Sequence, residues 1–244
     1  RDAVLALARL RPSARAFRLL GLCDGERLRA LLAQRLAFER LECSLIVSAT
    51  NLGRTTCDAF YAFVGAARER EPAFVAHEPN AWPLRADNYV DAVRASFAVP
   101  PAFEPVAIAC APGYLGLYSD GALANNSPIR QAIDAGADAV TVIFVQHSGL
   151  RANEAQVKSL AHLSGLAFDV INERILDLDL KLARAINEAV RSGHAPGRRF
   201  VDIRVIGPSV PLRLPSLAFG DQAALDRVFA QGEADGRAAL AAVP

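Results

Sequence analysis

Asp120 is the residue of this 244-residue chain whose type and position are best suited to chemistry. It stands between an apparent strand, Tyr114 to Tyr118, and a helix expected from Pro128, with Gly121 and Ala122 directly after it. In α/β sheets reactive groups gather in the crevice beyond the strand ends, so a carboxylate there is a candidate base. Asp-Gly is also among the commonest turn dipeptides, because Asp bonds its own backbone and Gly accepts positive φ without steric cost. The neighbours give this pair more meaning. Ser127 reads as an N-cap and Pro128 as the first helical residue, where a missing N–H loses nothing. Gly136 then closes the helix, and the apolar run Ala139 to Val145 reads as a strand buried on both faces. Asp120 is therefore expected to precede a right-handed βαβ crossover.

Other groups could carry nucleophilic or proton-transfer chemistry, each with a plainer account beside it. Gly21-Leu22-Cys23-Asp24-Gly25 fits Gly-x-Cys-x-Gly, and a thiol becomes a nucleophile when a helix N-terminus or a cation lowers its pKa. A nucleophile elbow, however, needs a buried strand running into a sharp turn and a helix. The preceding Ser13 to Leu20 is basic and not strand-like. A cysteine hydrolase built on Cys23 stands as one alternative, and thiol alkylation tests it. Ser96 lies at the end of a helix that Pro100-Pro101 terminates, a place for a packing or capping serine. Among His77, His147, His162 and His194, His147 follows the strand ending at Val145, and Ser, Asp, His is the chain order of one triad class. Gln146-His147-Ser148-Gly149 is equally an ordinary polar loop. No His, Cys or carboxylate cluster has ligand spacing, so no metal and no cofactor is expected.

The run Arg94-Ala95-Ser96, Ala98-Val99-Pro100, Phe103, Pro105-Val106, Asp120-Gly121-Ala122 and Asn126 with Pro128 resembles the second half of the patatin-like phospholipases, lipid acyl hydrolases. Leu45-Ile46-Val47-Ser48-Ala49-Thr50-Asn51-Leu52 is similar to that family's strand following the helix of the nucleophile segment, and Leu217-Ala218-Phe219 with a helix carrying Gly232 resembles its C-terminal end. The resemblance implies a Ser-Asp dyad in which Asp120 serves the serine directly, without histidine. It implies that small Gly121 and Ala122 let this loop approach the nucleophile closely, and that Asn126 steadies it. It also implies a Gly-rich oxyanion loop and a Gly-x-Ser-x-Gly elbow. These 244 residues contain neither. The expectation is that both lie upstream of Arg1, and that residues 1–244 are a single patatin-like α/β domain lacking its N-terminal portion. The alternative is a noncatalytic binding or scaffold protein with a patatin-like fold.

The elements that must position Asp120 read as alternating helices and strands. Helices are expected at Ala3 to Leu10, Glu26 to Phe38, Asn88 to Ser96, Pro128 to Ala135, Asn153 to Arg191 with a break near Gly165, and Asp221 to Ala242. Strands are expected at Ser44 to Ala49, Phe60 to Val64, Val106 to Ala109, Leu115 to Tyr118, Ala139 to Val145 and Phe200 to Val205. Such alternation predicts an α/β fold with a mostly parallel central sheet covered by helices on both faces, in three layers. In the long helical segment, Ile171, Ile175, Leu178, Leu182 and Ile186 recur at helical spacing, which is usually core and in a lipolytic enzyme could wall an acyl-chain pocket.

Composition narrows the classes. The chain is 52% hydrophobic and 22% charged with a formal net charge of +1, enough for one large core and without the basic excess of a nucleic-acid surface. Arg1, Arg9, Arg11, Arg15 and Arg18 make the start locally basic, as a solvated helix face is. Cys23, Cys43, Cys57 and Cys110 have neither zinc nor disulfide spacing, so free thiols are expected. No apolar run approaches the roughly 20 residues of a membrane-spanning helix. The expected setting is cytoplasmic or peripheral to a membrane, with a lipid or other ester as substrate and no nucleic-acid partner.

Overall fold

The computed structural model of the protein describes residues 25–100, 102–125, 127–145, 160–210, 212 and 222–241. The helix expected at Ala3 to Leu10, together with Cys23, Asn126, His147 and Leu217 to Phe219, lies outside the described residues. The chain divides into two compact units, residues 1–125 and 126–244.

The first unit is built on a five-stranded sheet. In chain order its elements are α1 (Gly25–Arg35), a 3-10 turn (Phe38–Arg40), β1 (Leu45–Asn51), β2 (Thr56–Ala62), a second 3-10 turn (Gly65–Arg70), α2 (Glu71–His77), β3 (Ala81–Pro83), α3 (Tyr89–Ser96), β4 (Val106–Ala111), β5 (Tyr114–Asp120) and a 3-10 turn (Gly121–Leu123). The strand order is β3-β2-β1-β5-β4. The α/β architecture is as expected, but the strand directions are not. β1 runs antiparallel to β2 and to β5, and β4 antiparallel to β5, so that only β2 and β3 pair in parallel and the sheet is mixed. The reason is in the connections: Leu52–Thr55 and Pro112-Gly113 are too short for a crossover helix, and short connections can join only antiparallel neighbours. Gly113 turns the second hairpin at φ 77, a conformation open to glycine at little cost.

β1 carries apolar and small residues on both faces and is buried through its second half, as a central strand must be. β5 changes character along its length. Leu115 and Leu117 face outward, 69% and 46% exposed, where the strand pairs only with β4. From Tyr118 it also pairs with β1, and Tyr118, Ser119 and Asp120 are all buried. The main core joins Val47, Ala49, Phe60, Val106, Ile108 and Tyr118 to Tyr89, Ala92 and Ala95 of α3. On the other face, Tyr61 and Phe63 meet Phe74 of α2 edge-on or tilted. α1 stops at Arg35, short of the expected Phe38, because Leu36 and Phe38 leave the helix to pack against the core. Tertiary burial there outweighs helix propensity.

The second unit holds α4 (Ile129–Asp134), β6 (Ala139–Ile143), α5 (Leu160–Arg191), β7 (Asp202–Ile206) and α6 (Gln222–Ala241). β6 pairs in parallel with β7 in a two-stranded sheet. It is not buried on both faces: Ile143 is 77% exposed. α5 runs unbroken through Gly165, since glycine inside a helix only weakens it by roughly 1 kcal/mol. Leu176 of α5 packs with Ile129 and Phe144, whereas Leu178 is exposed and Ile175 half-buried. No described helix is long and apolar enough to cross a membrane.

Candidate active site

Asp120 is the last residue of β5, at a corner held from three sides. Its N–H donates to the Ala98 carbonyl at 3.1 Å, and the Ser119 hydroxyl donates to the same carbonyl at 2.7 Å. Its own carbonyl accepts the Thr50 hydroxyl at 2.7 Å. Beyond it, Gly121 presses so close to β1 that a Cβ there would lie 2.6 Å from the Ser48 carbonyl oxygen. Only a residue without a side chain fits that approach. The chain then winds into the 3-10 turn, and the Ala122 N–H donates to Asp120 Oδ1 at 2.7 Å.

One carboxylate oxygen is thus engaged. Among the described residues Oδ2 has no hydrogen-bond partner, and no cation pairs with the group. The side chain is 7% exposed. Burial pushes its pKa above the ordinary 3.8, because desolvation penalises the charged form, and the Ala122 N–H partly offsets this by favouring the carboxylate. A carboxyl group with raised proton affinity and one uncommitted oxygen can accept a proton from a hydroxyl brought against it.

The family model for patatin-like phospholipase matches residues 5–133, more than half of the 244. The chain belongs to the patatin-like phospholipase family. No curated protein matches it. The matched span contains β1, α3 and the whole Asp120 corner. Membership supports a hydrolase of lipid esters.

The other sequence-selected residues fall differently around this patatin-like corner. Ser96 closes α3, half-buried, and Ala98 just beyond it supplies the carbonyl that anchors β5. Helix α4 starts at Ile129 with Pro128 at the cap position and no side-chain cap, one residue later than the Ser127-Pro128 pattern predicts. His77 is exposed, with its ring against the Ala73 carbonyl at 2.7 Å, and His194 is exposed beside Ser192. His77 is not bonded to the Asp120 corner. Cys43 and Cys110 are free thiols.

The most extensive buried polar group escaped the sequence reading. Asp58 of β2, 0% exposed, accepts Tyr118 Oη at 2.8 Å, Trp82 Nε1 at 2.9 Å and Asn51 Nδ2 at 3.1 Å on Oδ2, and Thr56 Oγ1 at 2.6 Å on Oδ1. The Asn51 amide is oriented by its other end, whose oxygen accepts the Gly53 and Arg54 N–H groups. Tyr118 Oη also contacts Cys110 Sγ at 3.1 Å, and burial raises the pKa of both groups. All five strands of the sheet contribute to this network, and two of its members flank the Asp120 corner in sequence, Asn51 following Thr50 and Tyr118 preceding Ser119. A signal was present: Asp58 interrupts the otherwise apolar run Cys57 to Phe63. A carboxylate inside a buried strand must be hydrogen-bonded.

Proposed function

We propose that this protein is a lipid acyl hydrolase using a Ser-Asp dyad, with Asp120 as the base and the nucleophilic serine supplied by residues preceding Arg1 in the intact protein. The observation that carries the reading is the state of the Asp120 carboxylate: it is buried, one oxygen is held by Ala122 N–H, and among the described residues no cation and no hydrogen-bond donor engages the other. In this mechanism the serine hydroxyl attacks the ester carbonyl while Oδ2 takes its proton. Backbone N–H groups of an upstream Gly-rich loop hold the oxyanion. The alcohol leaves with the proton returned from Asp120, and an acyl-enzyme remains. Water then attacks the acyl carbonyl, again giving its proton to Asp120, and the fatty acid departs as the bond to the serine oxygen breaks and that oxygen takes the proton back from Asp120.

An ordinary aspartate is a poor base near neutral pH; burial and proximity make the role tenable. Gly121 serves the site by close approach, Ala122 by donating its N–H, and Asn126 as a loop-steadying residue. The substrate is a lipid ester met in solution or at a membrane surface, and residues 1–244 form part of one patatin-like domain in a cytoplasmic or membrane-peripheral protein. The test is Asp120→Asn in the intact protein, with hydrolysis of a chromogenic fatty ester measured beside circular dichroism. General-base removal should lower kcat by roughly 10²–10⁴-fold while the fold is kept. Wild-type turnover in the variant would remove the proposal.

A further inference from the structure

We infer that Thr50 is a positioning residue for the proposed base: its hydroxyl clamps the Asp120–Gly121 corner to β1 and so fixes where the free carboxylate oxygen stands. This rests on reading Asp120 as the base. The pairing of β5 with β1 covers three positions, Ala49 with Asp120, Thr50 with Ser119 and Asn51 with Tyr118. Asp120 is therefore the terminal residue of a short ladder, where fraying would displace its side chain first. Its N–H is spent on Ala98, away from β1. On the β1 side the Thr50 hydroxyl supplies the tether, 2.7 Å from the Asp120 carbonyl oxygen and 3.4 Å from that of Gly121.

Strand propensity and burial alone do not call for threonine here. Thr50 is 7% exposed in a strand that also carries Leu45, Ile46 and Val47, and valine would satisfy the same pleat. What valine lacks is the donor. The hydroxyl is accounted for by its acceptor, and that acceptor belongs to the residue whose carboxylate must be aimed. Gly121, packed against the Ser48 carbonyl, leaves the corner no side chain of its own to hold it in place. Displacement of a catalytic group by about 1 Å costs on the order of 10²-fold in rate, so a clamp at this point acts on turnover more than on substrate binding.

The experiment compares Thr50→Val, which keeps the branch and loses the donor, with Thr50→Ser, which keeps the donor. In the intact protein, ester turnover and the NMR titration of the Asp120 carboxyl carbon are both read. Thr50→Val should lower kcat roughly 10–100-fold with KM within about twofold, and bring the Asp120 titration down toward the ordinary range as water reaches the loosened corner. Thr50→Ser should retain most of both. A Thr50→Val protein with unchanged titration and unchanged kcat overturns the clamp, and so does a loss that Thr50→Ser shares in full. If Asp120→Asn leaves turnover intact, the base assignment falls on its own. A titration moved by Thr50→Val and restored by Thr50→Ser would still establish the clamp. Should Thr50→Val fail to fold, Thr50→Ala carries the same comparison.

Discussion

Burying Asp120 raises its affinity for a proton, and the displacement bears on stability as well as on catalysis. Because the folded value lies above the unfolded one, the folded protein holds a proton that the unfolded chain has already lost as pH rises between the two. Stability therefore falls across that window, and the penalty is complete above the folded pKa and absent below the ordinary 3.8. Asp120→Asn, which keeps an acceptor for the Ala122 N–H, should raise the urea midpoint at neutral pH, with the gain fading as the pH falls through the folded pKa toward the ordinary 3.8. An unchanged midpoint at neutral pH would mean that the carboxylate is better solvated than its surroundings imply. The same ionisation should give kcat/KM an acid limb above the ordinary aspartate range, since only the carboxylate can act as base. Asp58 is the opposite case, a buried carboxylate whose oxygens are all engaged. Asp58→Ala strips an acceptor from Tyr118, Trp82 and Asn51, at about 1–3 kcal/mol for each buried donor left unpaired. Chemical denaturation should show a loss of several kcal/mol; less than ~1 kcal/mol would show that these donors find other partners.

Among the elements, the junction of β1 and β5 decides whether the Asp120 corner exists. Gly121→Ala places a methyl 2.6 Å from the Ser48 carbonyl oxygen, a backbone atom that cannot swing aside. The corner must part from β1, and overpacking of this kind costs typically 1–3 kcal/mol. Thermal unfolding should register that loss together with reduced ester turnover, and a variant as stable and active as wild type would contradict the close approach. This junction also marks how far the sequence could be read. Ser44 to Ala49, Val106 to Ala109 and Asn88 to Ser96 are visible as apolar runs and a capped amphipathic segment, and each lies within two residues of an observed element. The Asp120 motif is legible because its residues are contiguous. Strand direction is not, because alternating elements suggest crossovers, whereas the two-hairpin arrangement follows from loops too short to hold a helix. The roles of Thr50, Ala98 and Asp58 are hidden for a related reason: their partners are 70, 21 or 60 positions away, and register, not spacing, brings them together.

Over the whole molecule, the patatin-like match ends at residue 133, and α5, β7 and α6 lie beyond it. The core of the first unit and the Asp120 corner are both complete within residues 25–125, where every described hydrogen bond to that corner arises. The Asp120 carboxylate is thus held by the sheet of its own unit, and in the proposed mechanism the serine approaches it there. The most direct test is the rate of acyl-enzyme formation in the intact protein, followed as the burst of alcohol released from an activated fatty ester, with and without Asp120→Asn. Proton transfer to Asp120 predicts a burst whose rate falls at low pH with a single carboxyl ionisation, and which Asp120→Asn slows by at least ~10²-fold. A burst of undiminished rate in Asp120→Asn would contradict the assignment of this carboxylate as the base.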